Sequence, residues 1–242
     1  MPTTHFTTWL VTGANRGIGL EIVTQLVASS NNLVIAACRT PEKATALNDL
    51  KKSARGVIHI IKIDVSNFDS IRASTKALQA VCGETGLNYL INNAGIIAQD
   101  TVSTLDPEHL LELFKTNTAG PALVSQVCLP FLEKGSTKKI LHISSTAGSI
   151  GSLSALESPR GLFTSYAMSK AALNMLAYKQ KLKNPDFTII TLCPGWVKTD
   201  MGGEEGLLEP HESVAGILKV ITSATVVESG KYLRYNGEEI PW

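Results

Sequence analysis

Tyr166 and Lys170 lie four residues apart in the run Ser165-Tyr166-Ala167-Met168-Ser169-Lys170. A helix places residues at that spacing on one face, one turn apart. A phenol ordinarily ionises near pH ~10, too high for proton transfer at neutral pH. An ammonium group one turn away stabilises the phenolate and brings that value down. The pair could therefore give a proton to an oxygen that is gaining charge, or take one from it. A tyrosine and a lysine at this spacing also arise by chance, so another part of the chain must supply a reaction for them. Thr12-Gly13-Ala14-Asn15-Arg16-Gly17-Ile18-Gly19 follows a strand-like run and opens an amphipathic helix. Gly13 permits a tight turn. Gly17 and Gly19 let backbone N–H groups and a helix N-terminus approach a pyrophosphate. Strand, glycine turn and helix in that order form the context a phosphate cradle needs.

These groups have to be held by regular elements. Strand-like runs occur at Thr8–Thr12, Leu33–Cys38, Val57–Ile63, Tyr89–Asn92, Lys139–Ile143, Phe187–Leu192 and Lys231–Tyr235. Several are nearly continuous in Val, Ile and Leu, as strands covered on both faces are. Helical patterns fill the gaps at Gly17–Ala28, Pro41–Lys52, Ser70–Val81, Pro107–Glu133, Thr164–Lys183 and Pro210–Thr222. Asp106 before Pro107 and Thr40 before Pro41 read as N-caps. The alternation predicts an α/β fold: a Rossmann-type doubly wound parallel sheet of about seven strands, with helices on both faces. A chain of 242 residues fits one such domain. The least regular stretches, Ser145–Phe163 and Lys198–Glu209, are expected to be loops.

The glycine spacing T-G-x-x-x-G-x-G, Asp64-Val65, Asn92-Asn93-Ala94-Gly95, Ser144-Ser145 and Pro194-Gly195 fall at the first, third, fourth, fifth and sixth strands, and Tyr166 with Lys170 opens a helix between the last two. Together they resemble the compact short-chain dehydrogenases/reductases, and the resemblance covers the whole chain. It implies hydride transfer between a nicotinamide dinucleotide and a carbonyl or alcohol, with Tyr166 as proton donor. It implies that Gly13, Asn15, Arg16, Ile18 and Gly19 hold the pyrophosphate region and that Asp64 and Val65 flank the adenine. Asn93, Ala94 and Gly95 would lie against the adenosine side and brace the sheet. Pro194, Gly195, Val197 and Thr199 would hold the nicotinamide, and Lys170 its ribose. Ser145 would donate to the substrate oxygen, with Ser144 as a possible stand-in. Asn117 would hold a water relaying protons towards Lys170. Family members often pair through their two long central helices, so a dimer or tetramer is expected.

Cofactor choice is a question of charge. The second strand ends at Cys38-Arg39, where an NAD enzyme usually carries an acidic residue. Arg39, together with Arg16 in the glycine loop, suits a 2′-phosphate, so NADP(H) is expected. Ser145 lies 21 residues before Tyr166, more than compact members usually have, and the extra residues fall in Gly148–Phe163. This insertion, the run C-P-G-W-V-K-T-D-M-G-G and the final I-P-W resemble sniffer-like carbonyl reductases and fungal ketoreductases. Asp200–Leu208 suits either a mobile lid, with Met201, Leu207 and Leu208 covering an apolar substrate, or a plain surface loop, and Trp196 either lines the same pocket or packs on the sheet. The same groups serve alcohol oxidation. A nucleotide-sensing scaffold on the same fold would keep the loop and lose the catalytic groups.

The charges, 22 basic against 21 acidic, leave no broad basic surface for nucleic acid or an acidic membrane. The four cysteines are scattered, as free core thiols in a reducing compartment would be. The five histidines have no metal-ligand spacing. The opening segment Met1–Thr8 lacks a basic leader, and no apolar run suits a bilayer. A cytoplasmic enzyme without a metal, acting on a small and mainly apolar carbonyl or alcohol, is the expectation.

Overall fold

The computed structural model describes residues 6–153 and 161–242. Seven strands form one parallel sheet: β1 (Thr7–Thr12), β2 (Asn32–Cys38), β3 (Val57–Lys62), β4 (Tyr89–Asn92), β5 (Lys139–Ile143), β6 (Thr188–Cys193) and β7 (Tyr232–Arg234). Their order is β3-β2-β1-β4-β5-β6-β7, every neighbouring pair running parallel. This is the doubly wound sheet expected from the alternating pattern.

The core explains why the strands read as unbroken apolar runs. Along β1, Trp9 and Val11 face one buried cluster with Ile22 and Val23 of α1 (Gly17–Leu26) and Val214 and Ile217 of α8 (Pro210–Ser223). Leu10, between them, faces the opposite cluster with Leu78, Val124 and Phe131. Both faces of the sheet are covered, so neither can afford a polar row.

Helix boundaries differ from the sequence pattern at three places. The stretch expected from Pro41 opens with a 3-10 turn, Pro41–Lys43, before α2 (Thr45–Ser53), and Thr40 makes no side-chain capping bond. The stretch expected over Ser70–Val81 is two helices, α3 (Phe68–Ala73) and α4 (Thr75–Cys82), with Asn67 capping the first. The long helix begins as expected, Asp106 accepting from the Glu108 N–H at 3.0 Å. It divides into α5 (Pro107–Phe114), a π turn (Lys115–Ala119) and α6 (Gly120–Lys134). Single π turns inside helices commonly mark functional positions, and Asn117 lies in this one.

Helix α7 (Thr164–Lys183) carries Tyr166 and Lys170. Phe163, in the left-handed region at φ 62°, turns the chain into it. The buried Asp100 carboxylate accepts from the Ser165 N–H at 3.0 Å and from its hydroxyl, so it caps the helix beside Tyr166. Part of the expected insertion, residues 154–160, lies outside the described residues, as do residues 1–5 of the opening segment.

Candidate active site

Strand order reverses between β1 and β4, and a doubly wound sheet opens its crevice at such a point. A cleft of about 520 Å³ lies there. At one end it is lined by Gly13, Asn15, Arg16, Ile18 and Gly19. Gly13 has φ 63°, and a Cβ on it would come within 2.9 Å of the Ala94 Cα. A Cβ on Gly19 would lie 2.1 Å from the Gly13 carbonyl oxygen. No side chain fits at either position. Arg16 gives α1 no side-chain cap, so the first-turn N–H groups of this helix are available to an anion, which the helix dipole also favours. The loop therefore fits a dinucleotide pyrophosphate.

The end of β4 is tied to this loop. The Thr12 hydroxyl accepts from the N–H groups of Asn93 and Ala94 at 3.0 and 3.1 Å. The Asn93 amide donates back to the Thr12 carbonyl at 2.9 Å. Asn93 and Ala94 thus brace the glycine loop, and they and Gly95 line the cleft. Asp64 and Val65 also line it, the Asp64 carboxylate being fixed by the Ser66 N–H and hydroxyl at 3.0 and 2.7 Å.

Both expected arginines reach the cleft, but they are engaged differently. Arg16 forms an exposed ion pair with Asp200, at 3.0 Å, on the loop after β6. Arg39 lines the cleft beside neutral Cys38 and Thr40. Thr199 and Pro194 line the cleft. Gly195 and Val197 do not, standing behind its wall. Val197 is buried and bridges Leu208, and the open side of Gly195 packs on Leu208 and Tyr235.

At the other end are Tyr166 and Lys170, both buried and both lining the cleft. The Lys170 Nζ lies 5.6 Å from the Tyr166 ring centre and donates to the Ile143 carbonyl at 2.8 Å. The expected fall in the Tyr166 pKa is not what these surroundings give. Burial pushes the phenol up, and a hydrogen bond with the Ser145 side chain only partly opposes it. Desolvation of the uncharged phenol costs little, whereas a buried phenolate is poorly solvated. Burial also lowers Lys170, to about 8.

The two serines differ: Ser144 is among the residues lining the cleft and Ser145 is not, but their hydroxyls are engaged differently. The Ser144 hydroxyl is buried and donates to the Asn174 Oδ1 at 2.6 Å, which commits its hydrogen. The Ser145 hydroxyl accepts from the Ala147 N–H at 3.2 Å, which leaves its own hydrogen to give. The Asn117 side chain is used structurally: it accepts from the Ile96 N–H and donates to the Ile96 carbonyl, both at 2.9 Å, and donates to Ser169 at 3.0 Å. It still stands near the lysine. A Cβ on Gly95 would lie 3.2 Å from the Asn117 Oδ1 and 3.6 Å from the Lys170 Nζ.

Asp200–Leu208 is only partly a lid. Met201 lines the cleft, but Leu207 is 79% exposed and Leu208 is tied back by backbone bonds to Trp196 and Lys198. Trp196 is itself 52% exposed and donates to the Gly202 carbonyl at 2.7 Å, stiffening this loop rather than lining the cleft. Pattern reasoning missed Asn174 and Tyr232. Asn174 had a signal, since it continues the Tyr166–Lys170 face by one more helical turn. Among the described residues no group of three or more His, Cys, Asp or Glu could hold a metal ion, and no helix is long and apolar enough to cross a membrane. All four cysteines are buried and free.

Residues 7–207 match the profile of the short chain dehydrogenases. The chain belongs to this family. Similar solved structures include an NADPH-bound carbonyl reductase from chicken fatty liver, 38% identical with a TM-score of 0.92. That match covers 98% of this chain and 100% of the other. The carbonyl reductase Sniffer of D. melanogaster is 32% identical with a TM-score of 0.89, over 98% of this chain and 100% of that one. An uncharacterized oxidoreductase of Schizosaccharomyces pombe is 31% identical over 97% of each chain. This short-chain dehydrogenase is thus an oxidoreductase by family, and the narrower likeness to sniffer-type carbonyl reductases holds.

Proposed function

We propose that this short-chain dehydrogenase reduces a ketone or aldehyde with NADPH, and that Tyr166 gives the proton to the carbonyl oxygen. One observation carries the reading. Tyr166 and Lys170, with the Ser145 side chain beside the phenol, stand at one end of a cleft whose other end is a glycine loop too tight for side chains.

When bound, the nicotinamide supplies the hydride. The chain's own residues provide position and charge. Gly13, Asn15, Arg16, Ile18 and Gly19 would hold the pyrophosphate and Asp64 and Val65 the adenine side, with Asn93, Ala94 and Gly95 as backing. Pro194 and Thr199 would hold the nicotinamide side directly, with Gly195 and Val197 shaping the wall behind them. Arg39 would take the 2′-phosphate, because neutral Cys38 stands where an acidic residue would repel it. NADPH in the chicken carbonyl reductase supports the same choice here.

Burial keeps the Tyr166 phenol protonated across the neutral range, so it is loaded as a donor. Ser145 would give its hydrogen to the same substrate oxygen and steady the charge there. Lys170 stands by the phenolate that remains. Its own proton is loosely held, near pH 8, so it can hand one on. Asn117, near Lys170 at Gly95, would hold the water that relays a proton back to Lys170. Ile96 and Met201 on the cleft wall suit an apolar substrate. Exposed Met168, Met175 and Leu182 on α7 support pairing of copies through these helices.

The test is NADPH and NADH oxidation over a panel of aliphatic ketones, aromatic ketones, α-diketones and aldehydes. NADPH should be consumed with at least one class and preferred to NADH. Tight NADPH binding without turnover of any compound would instead make the protein a nucleotide-binding scaffold.

A further inference from the structure

We infer that Tyr232 and Asn174 are positioning residues which hold the Ser145 hydroxyl in register with Tyr166. The inference rests on the role given to Ser145 above. Ser145 follows β5 and begins a 3-10 turn, Thr146–Gly148. A hydroxyl on such a turn points where the local backbone points it, and two side chains from distant parts of the chain fix that backbone.

Tyr232, on β7, is fully buried. Its hydroxyl donates to the Ser145 carbonyl, which also accepts the Gly148 N–H at 2.8 Å. Asn174, on α7 and 3% exposed, ties the residues on either side. Its Oδ1 accepts from the Ser144 hydroxyl at 2.6 Å, and its Nδ2 donates to the Gly148 carbonyl at 3.1 Å. Ser145 thus sits inside a bracket, with one side chain holding its own peptide and one amide holding both flanks. Asn174 lies one turn beyond Lys170 and two beyond Tyr166, on their face of the helix. The helix that presents the phenol and the amine therefore also sets the serine, and the three groups share one frame.

The Tyr232 ring is itself held. It stacks on Trp242 at 5.3 Å between ring centres, and Trp242 meets Tyr178 of α7 edge-on at 6.0 Å. The Trp242 carbonyl accepts the Gly151 N–H at 2.9 Å, and the Pro241 carbonyl accepts the Ser149 hydroxyl. Ile240–Trp242 is thereby strapped to the segment that follows Ser145. Misplacing a reacting group by about an ångström can cost on the order of a hundredfold in rate, so a bracket of this kind matters to turnover as well as to folding.

Tyr232→Phe is the decisive change, because it keeps the ring and its stacking and leaves the Ser145 carbonyl its bond from Gly148. Turnover of the best-reduced compound of the panel is measured with NADPH for Tyr232→Phe, Ser145→Ala and the double variant. In parallel, hydrogen–deuterium exchange of the Ala147 and Gly148 amides is followed without cofactor. The expected result is a loss of kcat of about tenfold, the order set by one net hydrogen bond, with NADPH affinity unchanged. That loss should shrink to under about twofold in the Ser145→Ala background, since the group being positioned is gone. Exchange at the two amides should speed up, and Asn174→Ala should reproduce both effects. An equal loss in both backgrounds, or unaltered exchange, would overturn the bracket while leaving the proposed reaction standing. A wild type inert towards every compound would remove the reaction itself, and the role of Ser145 with it.

Discussion

The two ends of the cleft are stabilised in opposite ways. At the glycine loop, contact is made by backbone that has shed its side chains: Gly13 and Gly19 leave no room for a methyl group. At the Tyr166 end the parts are polar side chains, most of them buried, that reach one another across the chain. Tyr232 and Ser145 are 87 residues apart, and Ser144 and Asn174 are 30 apart. A backbone cradle tolerates no addition but has little to titrate. A side-chain cluster tolerates small changes in volume, yet depends on which atoms carry protons.

The comparison can be broken most severely at the cradle. Gly19→Ala puts a methyl group 2.1 Å from a carbonyl oxygen. Overpacking of that kind costs about 1–3 kcal/mol, so NADPH affinity should fall by up to about a hundredfold in a fluorescence titration. Unchanged affinity would mean the loop is not a tight cradle. Arg39→Gln should act next, raising the KM for NADPH by about tenfold or more while leaving that for NADH nearly constant, because one charge-assisted bond to phosphate is lost. Equal changes for both cofactors would place the 2′-phosphate elsewhere.

A third change, read in stability and not in binding or turnover, concerns a buried side chain that can titrate. His142, fully buried on β5, lies 2.8 Å from the Gln180 Oε1 and 3.4 Å from the Asn92 amide. Burial lowers it from 6.5 to about 4. Its folded pKa is below the unfolded one, so the unfolded chain binds more protons in that window. Stability from this group is present above pH 6.5 and is lost as pH falls towards 4, by up to about 3 kcal/mol. The stability gap between wild type and His142→Gln should therefore narrow over that range in denaturant titrations. A constant gap would show that His142 does not titrate in the fold.

This contrast also explains what the sequence made legible. The strands and their parallel order follow from apolar runs and alternation, which are local signals. The glycine loop is visible because a missing side chain is a feature of composition at a position. Tyr166 and Lys170 could be paired because helical spacing is fixed. The bracket around Ser145 was not legible, since no periodicity relates β7 to the end of β5. The choice between Ser144 and Ser145 needed Asn174, which commits the hydrogen of Ser144. The direction of the Tyr166 shift depended on burial outweighing the Ser145 side chain, and spacing carries no information on burial. Leu208 falls outside the cleft for a similar reason: it is held back by its bridge to Val197, a contact made by tertiary geometry.

Tyr166→Phe tests the chemistry most directly, with turnover and NADPH affinity measured on the same preparation. Losing a general acid should lower kcat by about 10²–10⁴-fold, while NADPH binds within about twofold of wild type because the cradle is untouched. A variant that keeps turnover close to wild type would contradict the assignment of Tyr166 as the proton donor.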